Sequence, residues 1–405
     1  MTTPALTPRT RLLYGAIIAA VLAVFLEGFS YVALAVLSPR LSEPVRRTRD
    51  ILHEQSVRIQ QMLDSAPSLF VVFDSALGWR QRPGYRSALY TIGPQGLRGT
   101  RIYGPVPKAG VLRASAFGDS FVFGSEVGDS AAWPALIERD FPDLEVPNYG
   151  VGGYGPDQTF LDVAEHGADL HPQVIIVGWV PDDLRRTLNV YRPFLSSHEP
   201  PLVKPRFLLS ESGALTLAPT PLSGDADYRR ILARPRDVLA LGRLDYWYTP
   251  SSYRDPLYDY SASVRLLTTF WIRMSRRFGS NRLYRGAYAN PASEAFRIQV
   301  ALFRQTADSI RKQGARPLFV FFPDREQMER IVQGARPSYQ PLLDTLRAHG
   351  LEPRDAADAF AGAPASDLPR WFMTVHFSPT GNGLVARWLG RILEEERRAP
   401  PSASR

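Results

Sequence analysis

The sequence predicts an α/β fold, a parallel sheet covered by helices on both faces, and three observations carry that expectation. Beyond Val111, short apolar runs alternate with helix-compatible stretches of about 10–15 residues, the rhythm of strand–helix–strand units. Runs such as "VLRASAF" and "PQVIIVGWV" are apolar along most of their length, as strands buried on both sides must be. Segments rich in Gly, Asp and Ser follow directly after those runs, where the chain has to turn.

Taken in order, "VLRASAF" reads as a strand and "AAWPALIERDF" as a helix with Asp129 or Ser130 near its start. "LEVPNYG" is a short strand, "PDQTFLDVAEHGADL" a helix opened by Pro156, and "PQVIIVGWV" a buried strand. The rhythm breaks at an insertion over about residues 184–290, rich in Pro, Arg, Tyr and Trp. It resumes with a helix around Ser293–Gln313, the strand "ARPLFVFF", a helix near Pro341–His349 and a short strand near Leu351. The last helix runs from Pro379 to about Glu396, which closes an α/β domain over residues 111–396, and residues 397–405 read as a disordered tail.

Ahead of that domain lie four shorter pieces. Residues 1–11 form a tail, and Leu12 to Leu37 are almost entirely apolar. At about 1.5 Å per residue such a run crosses a hydrocarbon core of about 30 Å. Ala33-Leu34-Ala35 offers a signal-peptidase-like site, but the apolar run is longer than a signal's core, so an uncleaved single-pass anchor is expected. Arginines on both sides of the run leave orientation open. Glu27 sits near mid-span, where a carboxylate needs a partner, and contact with another membrane protein is one reading. Residues 38–66 look like a juxtamembrane stalk and 67–110 like a lead-in of short strand-like pieces.

Composition excludes several classes of function. No cysteine is present, so disulfides and thiolate metal sites are ruled out. The net charge of +8 comes from scattered arginines without a basic block, which argues against nucleic acid. Six histidines without metal-ligand spacing imply neither metal nor organic cofactor.

In open parallel sheets, ligands bind beyond the carboxyl ends of the strands. Ser120 in "FGDSFVFG", the glycines of "NYGVGGYG" and the pair Asp182-Asp183 in "GWVPDDL" each follow a predicted strand, and His376 precedes the last helix. A serine there can attack a carbonyl if an imidazole takes its proton and N–H donors stabilise the oxyanion. Taken alone, a serine after a strand is most often a helix cap, so it is the joint placement that points to chemistry. Asp119 reads as a turn-fixing residue.

"AFGDSFVFG" resembles the first block of the SGNH/GDSL hydrolases, "NYGVGGYG" their second and "HFSPTGNGLVA" their last. The resemblance implies a flavodoxin-like three-layer α/β/α domain, Ser120 as nucleophile, His376 as general base, and an oxyanion hole at Ser120 and Gly153. The flanking "GPQGLRG" and "RRTLNVYRPF" also look like those of membrane-anchored bacterial members. Two departures stand out. Asp182 occupies the place of the family's oxyanion Asn, so it must be protonated, turned away or replaced. The usual Asp two or three residues before the histidine is absent, Thr374 and Met373 standing there, which leaves Asp367, Asp358 or a backbone carbonyl to orient the ring.

The function expected is a membrane-anchored serine esterase or acyltransferase, its domain on the periplasmic side, acting on an acylated glycan or lipid. The alternative is a degenerate domain that binds polysaccharide or assembles a membrane complex. Two aromatic segments stay open. "LDYWYTPSSYRDPLYDY" is read as a sugar-stacking, bilayer-touching or buried surface. "SASVRLLTTFWIRMSRRF" places Leu267, Phe270, Trp271 and Met274 on one helical face, and core packing is the preferred reading over an interfacial helix.

Overall fold

The computed structural model describes residues 7–41, 45–210 and 212–398. Five parallel strands form the sheet: β1 Leu112–Phe117, β2 Leu144–Glu145, β3 Val174–Trp179, β4 Arg316–Phe321 and β5 Arg354–Asp355. They lie in the order β2-β1-β3-β4-β5, the flavodoxin-like arrangement expected. The order in which strands are added to the sheet reverses between β1 and β3, where Ala114 pairs with Val174 and Phe117 with Val177. A crevice at the carboxyl ends of these two strands is therefore the place for a ligand.

Alternating residues of the strands feed two cores. Ala114, Ala116, Ile176 and Val320 face Trp133 and Ile137 of helix Trp133–Asp140 and Val385 and Leu389 of helix Pro379–Arg398. Phe117, Ile175, Val177 and Phe319 face Val163 of helix Pro156–His166 and Phe296 and Leu302 of helix Glu294–Lys312. Covering both faces explains why the strands read as continuous apolar runs. A further helix, Arg325–Val332, interrupts the expected rhythm, its start capped by the Asp324 side chain accepting from Gln327 N–H at 2.9 Å.

The pieces outside the α/β domain depart from expectation in three ways. The apolar helix, α1, already begins at Pro8 and runs to Leu37, long and apolar enough to cross a membrane. The expected stalk is instead a docked helix, α2 (Thr48–Asp64). Its Leu52, Ile59 and Leu63 are buried against Tyr191, Tyr228 and Ile231 of the insertion, because a helix with an apolar stripe this close to the domain gains by covering it. Of the expected C-terminal tail, Arg397 and Arg398 belong to the last helix and residues 399–405 lie outside the described residues.

Helix α3 (Ala262–Phe278), in the insertion, also departs from the preferred core-packed reading. Leu267, Phe270 and Trp271 are 62%, 61% and 71% exposed, since the opposite face, with Ile272 and Arg276, is the one turned to the domain. Its N-terminus meets α1. Glu27 accepts hydrogen bonds from Ser261 Oγ at 2.8 Å and Ser263 N–H at 3.2 Å, and from Ala262 N–H. The partner of this carboxylate is thus the chain's own helix, whose positive dipole end suits an anion, and not a second membrane protein.

One buried ion pair fastens the insertion to the sheet. Lys204 donates to Asp157 in the first turn of helix Pro156–His166, both side chains being fully buried. Burial pushes the Asp157 carboxyl up and the Lys204 ammonium down, the sign that desolvation works against the pair. Removing one partner leaves a lone buried charge. Lys204→Ala is expected to cost about 3–5 kcal/mol of stability, while Lys204→Met with Asp157→Leu recovers most of it. Thermal unfolding of the two variants checks this, and a single-variant loss below about 1 kcal/mol would contradict it.

Candidate active site

Strand β1 delivers Ser120 through a turn that only glycine allows. Gly118 has φ +153°, and a Cβ there would lie 2.6 Å from Val122 and 3.3 Å from the Gly178 backbone of β3. Asp119 caps the short helix Ser120–Phe123, its Oδ1 accepting from Phe121 N–H at 2.9 Å, as a turn-fixing role predicts. Ser120 Oγ lies 3.5 Å from Asp119 Oδ2.

The glycine loop is pinned beside this turn. Val151 N–H donates to Gly118 O at 2.9 Å, and Asn148 Nδ2 donates to Val122 O at 3.0 Å while its Oδ1 accepts from Gly150 N–H at 2.9 Å. From the lead-in hairpin, Val71–Asp74 with Gly78–Gln81, Trp79 Nε1 donates to Gly152 O at 3.1 Å and Gln81 donates to Gly150 O. Gly153 follows with φ +80°, a conformation that leaves room for close approach.

His376 arrives from a tight hairpin in which Met373 N–H donates to His376 O at 2.8 Å. Its ring packs on Phe121 at 5.0 Å between centroids. Nε2 lies 2.8 Å from Ser120 Oγ, across 256 residues of sequence. Burial holds the imidazole below its ordinary pKa, overcoming the upward pull of Asp119 and Glu126, so the ring is neutral at neutral pH. For Nε2 to accept the serine proton, the ring proton must sit on Nδ1.

That nitrogen faces an acid the sequence reading missed. Glu126 Oε1 is 3.6 Å from His376 Nδ1, and its Oε2 accepts from Val375 N–H at 3.1 Å and His376 N–H at 3.3 Å. Against the desolvation that would raise it, these N–H groups and the imidazole hold the Glu126 carboxyl below its ordinary value. At 3.6 Å the Nδ1 contact is electrostatic and not a hydrogen bond. The two acids expected beside the ring are corrected accordingly. Asp367 faces Arg370 at 3.7 Å, and Asp358 sits in the 3₁₀ turn Ala356–Phe360; neither has a bond to His376 among the described residues. Glu126 was illegible because it lies six positions beyond Ser120, with φ +69°, rather than near the histidine.

Asp182 is not a protonated donor. It receives Arg186 Nε at 3.0 Å and Arg185 Nη1 at 3.2 Å. Desolvation would raise its carboxyl, but Arg186, Arg185 and Arg192 bring it below the ordinary value. Asp183 is buried and pushed well up, first by desolvation and then by the Asp119 charge; its Oδ2 accepts from Val180 N–H at 3.1 Å. Between them lies Arg186, whose Nη1 donates to Asp119 Oδ2 at 2.8 Å and to Tyr154 O at 3.0 Å.

A second missed residue is Arg192, fully buried in "RRTLNVYRPF". Its Nη2 donates to Glu199 at 2.6 Å and lies 3.8 Å from where a Gly153 Cβ would stand, and Nη1 has no partner among the described residues. A buried donor left open beside the glycine loop is costly unless something else takes it.

No family model and no curated protein matches the chain. Among solved structures, a member of the lipolytic protein G-D-S-L family from Veillonella parvula is similar over 71% of this chain and 100% of that one, at 11% identity and a TM-score of 0.31. The inhibitor-bound M. smegmatis aryl esterase is similar over 70% and 99%, at 10% identity and a TM-score of 0.31. At such distance they carry no argument of their own, and the fold stands on its strand order and the site on its distances.

The lowered imidazole pKa has a measurable sign. A serine-reactive fluorophosphonate probe is expected to label the protein at a rate that stays level through neutral pH. That rate falls only below the ordinary imidazole range, as the base becomes protonated. Ser120→Ala removes labelling; a rate that declines already above pH about 7 would show the ring is charged there.

Proposed function

We propose that the chain is a membrane-anchored serine esterase or acyltransferase of the SGNH type. The observation that supports this most is the 2.8 Å contact between Ser120 Oγ and His376 Nε2, with a carboxylate facing the ring's other nitrogen. Ser120 Oγ attacks the ester carbonyl as its proton passes to His376 Nε2. The tetrahedral oxyanion takes the Ser120 and Gly153 N–H groups. The imidazolium returns its proton to the departing alkoxide, which leaves an acyl-serine. Water, or an alcohol in a transferase, then attacks that ester with His376 again as base, and Ser120 is regenerated.

Arg192 is the proposed replacement for the missing Asn donor. Its guanidinium is buried, with Nη2 3.8 Å from where a Gly153 Cβ would stand and Nη1 without a partner among the described residues, whereas Asp182 is occupied by Arg185 and Arg186. Glu126 acts through charge, supporting the imidazolium that forms during attack. The engaged Asp182 also favours a second reading, a binding protein built on a degenerate site, and the same kinetics separate the two. Glu126→Gln is expected to lower kcat about 10–100-fold with KM little changed, less than loss of a bonded orienting acid, and Arg192→Met about 10²–10³-fold. Hydrolysis of p-nitrophenyl acetate reads both. Wild type without turnover or probe labelling would leave the binding reading standing.

The anchor is α1, and the substrate class proposed is an acylated glycan or lipid of the envelope, since a tethered site meets substrates at that surface. This places the α/β domain on the periplasmic side. A C-terminal alkaline phosphatase fusion is therefore expected to be active in bacteria, and a fluorescent reporter that matures only in the cytosol to stay dark; the reverse pattern would refute the placement.

A further inference from the structure

A cavity lined by neither Ser120 nor His376 lies beside α3. It has a volume of about 720 Å³ and is enclosed by α3, the segment around Trp247 and residues Pro193–Leu195. Seven of its lining side chains are arginines and none is acidic. Arg46 and Arg185 have carboxylate partners, Glu54 and Asp182. Arg273, Arg276, Arg277, Arg282 and Arg285 have no ion pair among the described residues. Aromatic faces complete the walls. Arg185 and Arg276 lie over Trp247 at 5.2 and 5.0 Å, and Arg276 Nη2 donates to Trp247 O at 2.8 Å.

The cavity is bounded by a helix with two unlike faces. Along α3, Thr269, Ile272 and Arg276 line the cavity, while Leu267, Phe270 and Trp271 stand exposed on the opposite side. Glu27 fixes the start of α3 to α1. The apolar part of α1 ahead of Glu27, Leu12–Leu26, is about 22 Å of helix, so Glu27 and the start of α3 lie toward the far side of a hydrocarbon core of about 30 Å, with Arg9 and Arg11 at its near face. The end of α1 and the outer face of α3 then approach the interfacial layer, where exposed Tyr31 and Trp271 are at home. A cationic, aromatic-walled cavity at that depth meets lipid headgroups before any solute.

We infer that this cavity binds the headgroup of an anionic phospholipid of phosphatidylglycerol type, the unpaired arginines taking the phosphate and Trp247 and Tyr246 the glycerol stem. Guanidinium groups match phosphate oxygens in pairs, and basic residues near a bilayer favour anionic over zwitterionic lipid. The inference rests on the reading of α1 as a membrane anchor, and it is independent of the chemistry at Ser120.

Native mass spectrometry of the full chain in dodecyl maltoside, with added phosphatidylglycerol, phosphatidylcholine or inorganic phosphate, tests it. The wild type is expected to retain one phosphatidylglycerol with about tenfold preference over phosphatidylcholine. Arg273→Ala with Arg277→Ala is expected to lose that preference, and Arg273→Lys with Arg277→Lys to keep most of it. Equal retention of the two lipids by wild type overturns the inference, as does an unchanged preference in the double-Ala variant. Displacement of the lipid by inorganic phosphate would make this a free-ion site and also overturn it. Triton X-114 partitioning reads the anchor and fluorophosphonate labelling the serine separately, so loss of lipid preference with both intact condemns this site alone.

Discussion

The Arg186 guanidinium, buried among Asp119, Asp182 and the Tyr154 carbonyl, ties together the loops that follow the first and third sheet strands and the glycine loop between them. Burying such a charge is costly, and the arrangement offsets that cost with neutralising partners on every side. Asp183, its carboxyl pushed well up by burial and by the Asp119 charge, accepts from Val180 N–H and lies 3.5 Å from Arg186 Nη1. Arg185 and Arg186 then balance Asp182 and Asp119. Without that balance, the field at Ser120 would be anionic and would oppose an oxyanion.

From this follows a physical account of Asp182. A neutral Asn at that position could donate to a substrate but could not hold Arg185 and Arg186. A carboxylate holds both and gives up donation. In the proposed mechanism the donor is Arg192, whose Nη2 comes within 3.8 Å of a Gly153 Cβ position and whose Nη1 has no partner among the described residues. The exchange trades a fixed neutral donor for a charged one, whose attraction for an oxyanion in a buried setting is the stronger. The labelling and kinetic outcomes given above turn on whether this exchange succeeds.

What the sequence made legible was local. Ser120, Gly153 and His376 could be found because each sits in a short block whose turn chemistry is written in adjacent glycines, acids and a proline. The sheet was legible through its unbroken apolar runs. Glu126 was not, because its role depends on a contact across 250 residues and on a left-handed backbone that no residue type announces. The outward face of α3 was illegible for a different reason: a helical stripe of Leu, Phe and Trp states that something covers it without stating what. The same holds for α2, whose apolar positions looked sparse enough for a free stalk until the insertion supplied their cover.

The proposed lipid cavity and the proposed catalytic crevice share a wall, and that geometry constrains how a tethered enzyme of this kind would work. Arg185 holds Asp182 on one side and lies over Trp247 on the other. Trp247 Nε1 donates to Arg185 O at 3.0 Å. Arg192 backs the glycine loop while the next three residues line the cavity. An anion seated among the cavity arginines would compete for Arg185 and so loosen its hold on Asp182. Binding on the membrane side is in this way linked electrostatically to the loop that orders the crevice, with no rearrangement of the sheet. Because α3 is fixed to α1 through Glu27, the proposed anchor would set both the cavity's depth in a bilayer and the distance of Ser120 from its surface.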